Sequence, residues 1–191
     1  MLTEGAKAPE FTLSGVYQGD RDGYSLGDET EAGNRILLLF YPADFSPVCT
    51  AELCAIREAE WFTLSDNLLV WAISGDSTYA HQAFAEEYYI NYPLLTDHDG
   101  DVSEQYDVLY DEWEGNTRVP KRAVYLIDTD RTIRYAWATE DAYVEPEYPP
   151  ILEALTELTD IDPTVQEADI GPAVGYDDEG TSAPSPSIDR I

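Results

Sequence analysis

One stretch of the chain constrains the fold most, because a strand-like run is followed at once by a helix-like one. Ile36–Tyr41 is a continuous apolar run, the pattern of a strand buried on both faces of a sheet. Pro42 ends the run, and apolar and charged residues then recur at roughly helical spacing from about Pro47 to Phe62. Ser46 is a suitable N-cap, and proline is favoured at the first helical position. The pattern predicts a buried strand, a short loop and a helix.

The predicted helix carries both cysteines of the chain, Cys49 in its first turn and Cys54 about one and a half turns later. Free backbone N–H groups and the positive end of the helix dipole stabilise an anion there, so we expect the pKa of Cys49 to lie below the free value of about 8.5. Helix geometry separates the two Cα atoms by about 8.5 Å, beyond the limit of about 7 Å for a disulfide. A disulfide between them therefore requires the first turns of the helix to unwind.

Two other interpretations of the cysteines stay open at this point. Free cysteine often packs as a small hydrophobic side chain, and this alternative is stronger for Cys54 than for Cys49. A zinc site is weaker still, because zinc usually takes four ligands at short spacings and the chain adds only the distant His81 and His98. We interpret both histidines as structural or solvated.

The residues around Cys49 resemble the signature of the peroxiredoxins, the AhpC/TSA superfamily. In that signature a proline is followed after three residues by threonine or serine and after two more by cysteine, as in Pro42, Ser46 and Cys49. A second cysteine five residues later, Cys54, is similar to the bacterioferritin-comigratory or Q-type subgroup. The resemblance covers about residues 3 to 159. The other stretches that agree with the family are Gly5–Leu13, Ile73–Ser77 with His81 and Phe84, Pro93–Asp97 and Pro120–Asp128.

The resemblance implies a role for five residues. Cys49 would be the nucleophile that attacks the peroxide, and Cys54 the resolving cysteine. Arg122 would be the cation beside the thiolate, with a surface salt bridge as its alternative. Ser46 would orient the peroxide, and Pro42 would shield the pocket from water. The implied product on Cys49 is a sulfenic acid, which condenses with a nearby thiol to a disulfide.

The implied activity is that of a thiol-dependent peroxidase for hydrogen peroxide or small organic hydroperoxides, with a thioredoxin-like electron donor and no cofactor or metal. One alternative is a one-cysteine peroxidase or a thiol:disulfide oxidoreductase in which Cys54 only packs. The other is a non-catalytic thioredoxin-fold sensor or interaction protein, which would react with peroxide very slowly. Members of the resembled subgroup are monomers or dimers, so both a monomer and a homodimer remain open.

The remaining apolar patterns predict a thioredoxin-like α/β fold, a mixed central sheet with helices on both faces. Phe11–Leu13 and Tyr17–Ser25 are expected to form the N-terminal β-hairpin extension that peroxiredoxins carry. The segment Tyr106–Arg118 is the least regular; it could border the active site or dock a reductase, but aromatic packing over the sheet edge is favoured. The other predicted elements are strands Leu68–Ser74, Ala123–Asp128 and Thr132–Ala138, and helices from Ser77 to about Tyr89 and from about Pro149 to Leu158.

The net charge of −29 argues against some classes of partner and indicates the kind of cell in which the protein works. Residues 1–159 alone hold 31 acidic against nine basic side chains, and the chain has only two lysines beside eight arginines. Such acidity resembles proteins of salt-accumulating halophiles, whose salt screens the self-repulsion, so we expect a haloarchaeal cytoplasm. An ordinary acidic protein of a low-salt cell is the alternative.

The negative charge argues against nucleic acid and anionic membranes as partners. No apolar leader or membrane-length stretch appears, so we expect a soluble, unexported protein.

The composition divides the chain into two parts. Residues 1–159 form the predicted peroxiredoxin-like domain. Residues 160–191 are rich in Asp, Pro, Gly and Ser, without periodicity, and are predicted to be a largely disordered acidic tail. Four apolar residues could still hold the first half of the tail against the domain: Ile161, Val165, Ile170 and Val174.

Overall fold

A computed structural model describes residues 1–59 and 67–158, which form a seven-stranded mixed sheet covered by helices. The strands are β1 (Thr12–Tyr17), β2 (Asp20–Ser25), β3 (Arg35–Phe40), β4 (Leu68–Ser74), β5 (Leu94–Thr96), β6 (Ala123–Ile127) and β7 (Ile133–Ala138). The helices are α1 (Leu26–Glu31), α2 (Pro47–Glu58), α3 (Thr78–Tyr88), α4 (Asp101–Gln105) and α5 (Tyr148–Leu158). The predicted thioredoxin-like architecture is confirmed.

Strand β3 lies near the middle of the sheet, whose order is β2-β1-β5-β4-β3-β6-β7. It pairs in parallel with β4 and antiparallel with β6. Because side chains alternate along a strand, Leu37 and Leu39 join the core beneath α2, α3 and α5, whereas Ile36, Leu38 and Phe40 join the core on the other face. The two-sided burial explains the continuous apolar run in the sequence.

The N-terminal hairpin is confirmed, and it is part of the main sheet. Strands β1 and β2 pair through a tight turn in which Gln18 and Gly19 both have positive φ, as a two-residue hairpin turn requires. Strand β1 also pairs antiparallel with β5. The hairpin therefore extends the sheet by two strands instead of standing apart from it.

Helix α2 is shorter than its sequence pattern suggests. It ends at Glu58, because Ala59 adopts an extended backbone conformation with ψ 103°. Ser46 does occupy the N-cap position and Pro47 the first helical position, but the Ser46 side chain makes no capping hydrogen bond. Phe62 lies outside the described residues, as does the predicted tail 160–191.

Three short elements were not predicted from periodicity: α1, β5 and α4. Strand β5 has three residues and α4 has five, too few to show a repeat. A side chain holds α4 instead, since the Asp97 carboxylate accepts hydrogen bonds from the backbone N–H groups of Val102 and Ser103 at 3.1 and 2.8 Å.

Among the described residues, no helix is long and apolar enough to cross a membrane. The same residues do not include a group of three or more His, Cys, Asp or Glu side chains placed to hold a metal ion.

Candidate active site

Cys49 lies where the chain turns from the sheet into α2, and its side chain is fully buried. Strand β3 ends at Phe40, and residues 41–46 lead into the helix. The Arg122 guanidinium donates to the sulfur, with Nη2 3.3 Å from Sγ. Burial raises the pKa of Cys49, and the Ala43 backbone N–H and the Ser46 hydroxyl are further donors that, like Arg122, lower it. The sulfur therefore sits in a pocket lined by hydrogen-bond donors.

Arg122 is brought to the sulfur by β6, because it immediately precedes Ala123, which pairs with Phe40 at the end of β3. The guanidinium is fully buried and donates to the Ala142 carbonyl through Nη2 at 2.7 Å and Nε at 3.2 Å. Burial lowers the pKa of Arg122, and the negative charges of Glu52 and Cys49 raise it by more, so the side chain stays a cation. The surface salt bridge that was the alternative for Arg122 is wrong.

Glu52 is a site residue that the sequence analysis missed. It lies three positions after Cys49 on the same face of α2, is fully buried, and accepts a hydrogen bond from Arg122 Nη1. Burial raises the pKa of Glu52 to about 7; Arg122 opposes that shift and Glu145 adds to it. The sequence did offer a signal for Glu52, because it lies one turn after the cysteine on the face of the helix that is buried. A carboxylate buried there requires a cation as its partner.

The prediction that Cys49 ionises more easily than a free thiol is wrong. Burial raises the pKa of Cys49, and the lowering effects of Arg122, Ala43 and Ser46 do not fully compensate; Glu52 also raises it. Backbone dipoles at the helix start favour the thiolate, whereas the loss of water around the buried sulfur disfavours it. Among the groups that lower the pKa of Cys49, Arg122 has the largest effect.

The other predicted site residues fall into two groups. Ser46 and Pro42 lie in the segment between β3 and α2, with Ser46 against the sulfur and Pro42 buried. Cys54 is not brought to Cys49: both are free thiols within the continuous helix α2, and Cys54 is partly exposed. Burial raises the pKa of Cys54, with Arg57 opposing the shift and Glu58 adding to it.

A buried polar network holds the segment before α2. The Asp44 carboxylate accepts a hydrogen bond from the Tyr41 hydroxyl at 2.7 Å and contacts His81 Nδ1 at 2.9 Å. Nε2 of His81 lies 3.2 Å from the Leu95 carbonyl, and the Asp44 backbone N–H donates to Asp76 at 2.8 Å. His81 therefore has the structural role predicted for it. His98 is exposed and contacts the Gly75 carbonyl at 3.4 Å.

The rim of the site is formed by two loops, residues 106–122 and 139–147. The Tyr143 hydroxyl joins them by donating to Glu114 at 2.8 Å. Within the first loop, Tyr106 packs in the sheet core as the sequence analysis favoured, and the Tyr110 backbone N–H donates to the Val119 carbonyl at 2.9 Å. The aromatic packing that was favoured for this segment is therefore confirmed for Tyr106.

A buried cysteine at a helix start beside a buried arginine, in a thioredoxin-like fold, defines a thiol-dependent oxidoreductase. The chain belongs to the AhpC/TSA family, whose sequence profile matches residues 5–136. It is thus a peroxiredoxin-type, thiol-dependent peroxidase.

Individual relatives agree with this assignment. A Coxiella burnetii protein that carries the name peroxiredoxin bcp is 37% identical over 136 residues, 70% of this chain and 86% of the relative. The chloroplastic peroxiredoxin Q of Suaeda salsa is 31% identical over 71% of this chain and 60% of its own length. The crystal structure of peroxidoxin BcpB from Mycobacterium tuberculosis superposes with a TM-score of 0.70 and 26% identity, over 83% of this chain and 99% of that one.

Proposed function

We propose that the chain reduces hydrogen peroxide and small organic hydroperoxides through a sulfenic acid on Cys49, which Cys54 then resolves as an intramolecular disulfide. The observation that carries the proposal is the contact of the buried Arg122 guanidinium with the Cys49 sulfur at 3.3 Å. A fixed cation at that distance favours the thiolate and also lies where charge develops on a peroxide oxygen.

The first step is a displacement at oxygen. The thiol proton leaves to solvent, the Cys49 thiolate attacks one peroxide oxygen, the S–O bond forms and the O–O bond breaks. The sulfur is oxidised to a sulfenic acid, and the departing oxygen becomes water or an alcohol after taking up a proton. Arg122 and Ser46 act in this step, because both contact the sulfur and both are donors.

The second step removes the sulfenic acid before it is oxidised further. The Cys54 thiol attacks the Cys49 sulfur, and water leaves as the disulfide forms. Cys54 is the other cysteine of the chain and is partly exposed, which supports this role. We propose a thioredoxin-like dithiol as the electron donor, because a disulfide is reduced by thiolate attack through a mixed disulfide. The protein would act as a monomer or homodimer.

One equivalent of hydrogen peroxide should convert the reduced protein into a species with an internal Cys49–Cys54 disulfide. The measurement is the mass of the peptide that contains both cysteines, after free thiols are trapped with an alkylating reagent. Cys49→Ser should abolish the disulfide and all peroxide consumption. Cys54→Ser should leave a trappable sulfenic acid on Cys49.

The possible outcomes separate the alternatives. A sulfenic acid in the wild type with Cys54 still free would replace the two-cysteine mechanism with one-cysteine chemistry. Two untouched thiols after exposure to peroxide would contradict peroxidase activity altogether and leave a sensor or interaction protein.

We also propose that the protein works in the salt-rich cytoplasm of a haloarchaeon. Of the nine lysines and arginines in the described residues, eight have a carboxylate partner within 4.0 Å, and Arg21 bonds to Gln82 instead. The basic side chains are thus largely paired with carboxylates already, while most acidic side chains have no basic partner in a chain of net charge −29. Dissolved cations are then the remaining way to reduce the repulsion.

The melting temperature should rise by at least about 5 °C between about 0.1 M and about 1 M potassium chloride, because shortening the Debye length from about 10 Å to about 3 Å relieves the self-repulsion. Differential scanning calorimetry measures the shift. An uncharged osmolyte at equal osmolarity is the control, since it is excluded from the surface without screening charge. Equal stabilisation by the osmolyte, or no shift in salt, would contradict the halophilic proposal.

A further inference from the structure

The segment between β3 and α2, residues 41–46, leads the chain into the helix that holds Cys49, and its backbone is strained at Phe45. Phe45 has a φ of 61°, in the left-handed region that an aromatic residue rarely adopts, and its side chain is half-exposed. A residue keeps such a conformation only when the surrounding structure holds the chain in place. The next residue, Ser46, occupies the N-cap position of α2. The contacts that hold the strained turn therefore also fix where the first turn of α2 begins.

Asp44, the residue before Phe45, anchors this segment to the rest of the fold. Its backbone N–H donates to the Asp76 carboxylate at 2.8 Å, and its own carboxylate accepts from the Tyr41 hydroxyl at 2.7 Å. The second oxygen of the Asp44 carboxylate lies 2.9 Å from Nδ1 of His81, which belongs to α3. Asp44 thus joins the segment to the end of β4 and to α3.

The surroundings of His81 require a proton on each of its two ring nitrogens. Nε2 lies 3.2 Å from the Leu95 carbonyl, which can only accept a hydrogen bond, so Nε2 carries a proton. Nδ1 faces the Asp44 carboxylate, which is also an acceptor, and the Tyr41 hydroxyl proton is already directed at the other oxygen of that carboxylate. A neutral imidazole has one N–H, so its bare nitrogen would place a lone pair against an acceptor. The imidazolium has two N–H groups and satisfies both acceptors.

The charges around His81 agree with the imidazolium form. The side chains of His81 and Asp44 are 0% and 1% exposed, and a carboxylate buried to that extent requires a cation beside it. Among the residues that the structure describes, His81 is the ion-pair partner of Asp44. The Asp76 carboxylate adds a second negative charge next to the Asp44 backbone. An imidazolium at His81 therefore compensates charge that the pair would otherwise bury.

We infer that His81 is a positioning residue, whose imidazolium holds Asp44 and thereby the segment that places Cys49 against Arg122. The inference rests on the proposed peroxidase function. Asp44 lies two residues before the N-cap of α2 and five before Cys49, whose sulfur is 3.3 Å from Arg122 Nη2. Without a donor at Nδ1 of His81, the Asp44 carboxylate loses a charge-assisted hydrogen bond, the strained turn relaxes, and the first turn of α2 shifts relative to Arg122. His81 acts through Asp44 and not on the reacting atoms.

Two substitutions separate the two hydrogen bonds of His81, because the amide nitrogen of asparagine takes the place of Nδ1 and that of glutamine the place of Nε2. His81→Asn keeps a donor for Asp44 and loses the donor for Leu95, whereas His81→Gln does the reverse. The rate of the reaction with hydrogen peroxide, measured by stopped flow, should fall about 10-fold to 100-fold in His81→Gln, the cost of a misplaced reacting group. His81→Asn should react at least about fivefold faster than His81→Gln, because it keeps the hydrogen bond to Asp44. His98→Gln is the control, since His98 is exposed, and its rate should equal that of the wild type.

Two further measurements report on more than the stability of the fold. NMR of the ring nitrogens in the reduced wild type should show both nitrogens of His81 protonated at neutral pH. The pH dependence of Cys49 alkylation by iodoacetamide should move to higher pH in His81→Gln, because the thiolate loses part of its stabilisation by Arg122. The same profile should move less in His81→Asn.

Several results would overturn the inference. Equally slow reactions of His81→Asn and His81→Gln would show that His81 contributes only packing, and two variants as fast as the wild type would show that its bond to Asp44 does not affect the reaction. An unprotonated Nδ1 in the wild type would contradict the imidazolium. If the wild type does not react with peroxide, the proposed function has failed, and the NMR spectrum and the alkylation profiles still decide whether His81 positions Cys49.

Discussion

Replacing Arg122 with methionine is expected to slow the reaction of Cys49 with hydrogen peroxide by about 100-fold to 1000-fold, the usual cost of removing one donor that stabilises a developing oxyanion. Two effects combine in this substitution. The guanidinium stabilises the Cys49 thiolate against the burial that raises its pKa, and it lies 3.3 Å from the sulfur at which the proposed displacement takes place. Stopped-flow measurement of peroxide reduction at several pH values separates them, because high pH restores the thiolate but not the donor.

The substitution also leaves Glu52 buried without its cation. A buried unpaired charge is strongly destabilising, but the pKa of Glu52 is already raised to about 7 in the presence of Arg122, so this carboxyl can become neutral in the variant. We therefore expect a folded protein whose stability falls as the pH rises through the ionisation of Glu52. Arg134→Met is the matched control, since Arg134 pairs with Asp128 at the surface, away from the sulfur. An Arg122→Met rate within a factor of about 3 of the control would remove Arg122 from the mechanism.

The parts of the site that follow from local sequence were predictable. A continuous apolar run fixes β3, a proline and a serine mark the start of α2, and the cysteine in the first turn of that helix follows directly. Arg122 was not predictable from its own neighbourhood. The resemblance placed it at the site, and the antiparallel pairing of β6 with β3 is the physical reason that it reaches Cys49.

The parts that depend on burial were missed. The pKa of Cys49 depends on how completely the pocket excludes water, which no helix-start pattern reports. In the sequence, Glu52 is indistinguishable from an acidic residue on a solvated helix face. Its burial becomes understandable only from the fold, in which Arg122 donates a hydrogen bond to it. The contact of Tyr41 and Asp44 with His81 joins residues 37 or more positions apart, so only the folded sheet brings them together.

Oxidation to the Cys49–Cys54 disulfide is expected to unwind the N-terminal turns of α2. Both cysteines lie within one continuous helix, in which Cα atoms five residues apart are separated by about 8.5 Å, and a disulfide tolerates at most about 7 Å. The C-terminal half of the helix is tied to neighbouring segments, since the Leu53 carbonyl accepts from the Tyr92 hydroxyl at 2.8 Å and Arg57 donates to the Tyr88 carbonyl. The first turn has no side-chain cap, so we expect this part of the helix to unwind.

Hydrogen–deuterium exchange should therefore accelerate about 100-fold or more for amides near Cys49 when the disulfide forms, because a locally unfolded segment loses most of its protection. Amides of α3 should be unaffected and serve as the internal control. The Cys54→Ser protein, oxidised to the sulfenic acid, should keep the slow exchange of the reduced state. If the disulfide forms and exchange in α2 stays unchanged, the helix accommodates the bond without unwinding. In the unwound state Cys49 would leave Arg122, so each catalytic cycle would require α2 to refold before the next peroxide reacts, and the stability of the first turn would help to set the turnover rate.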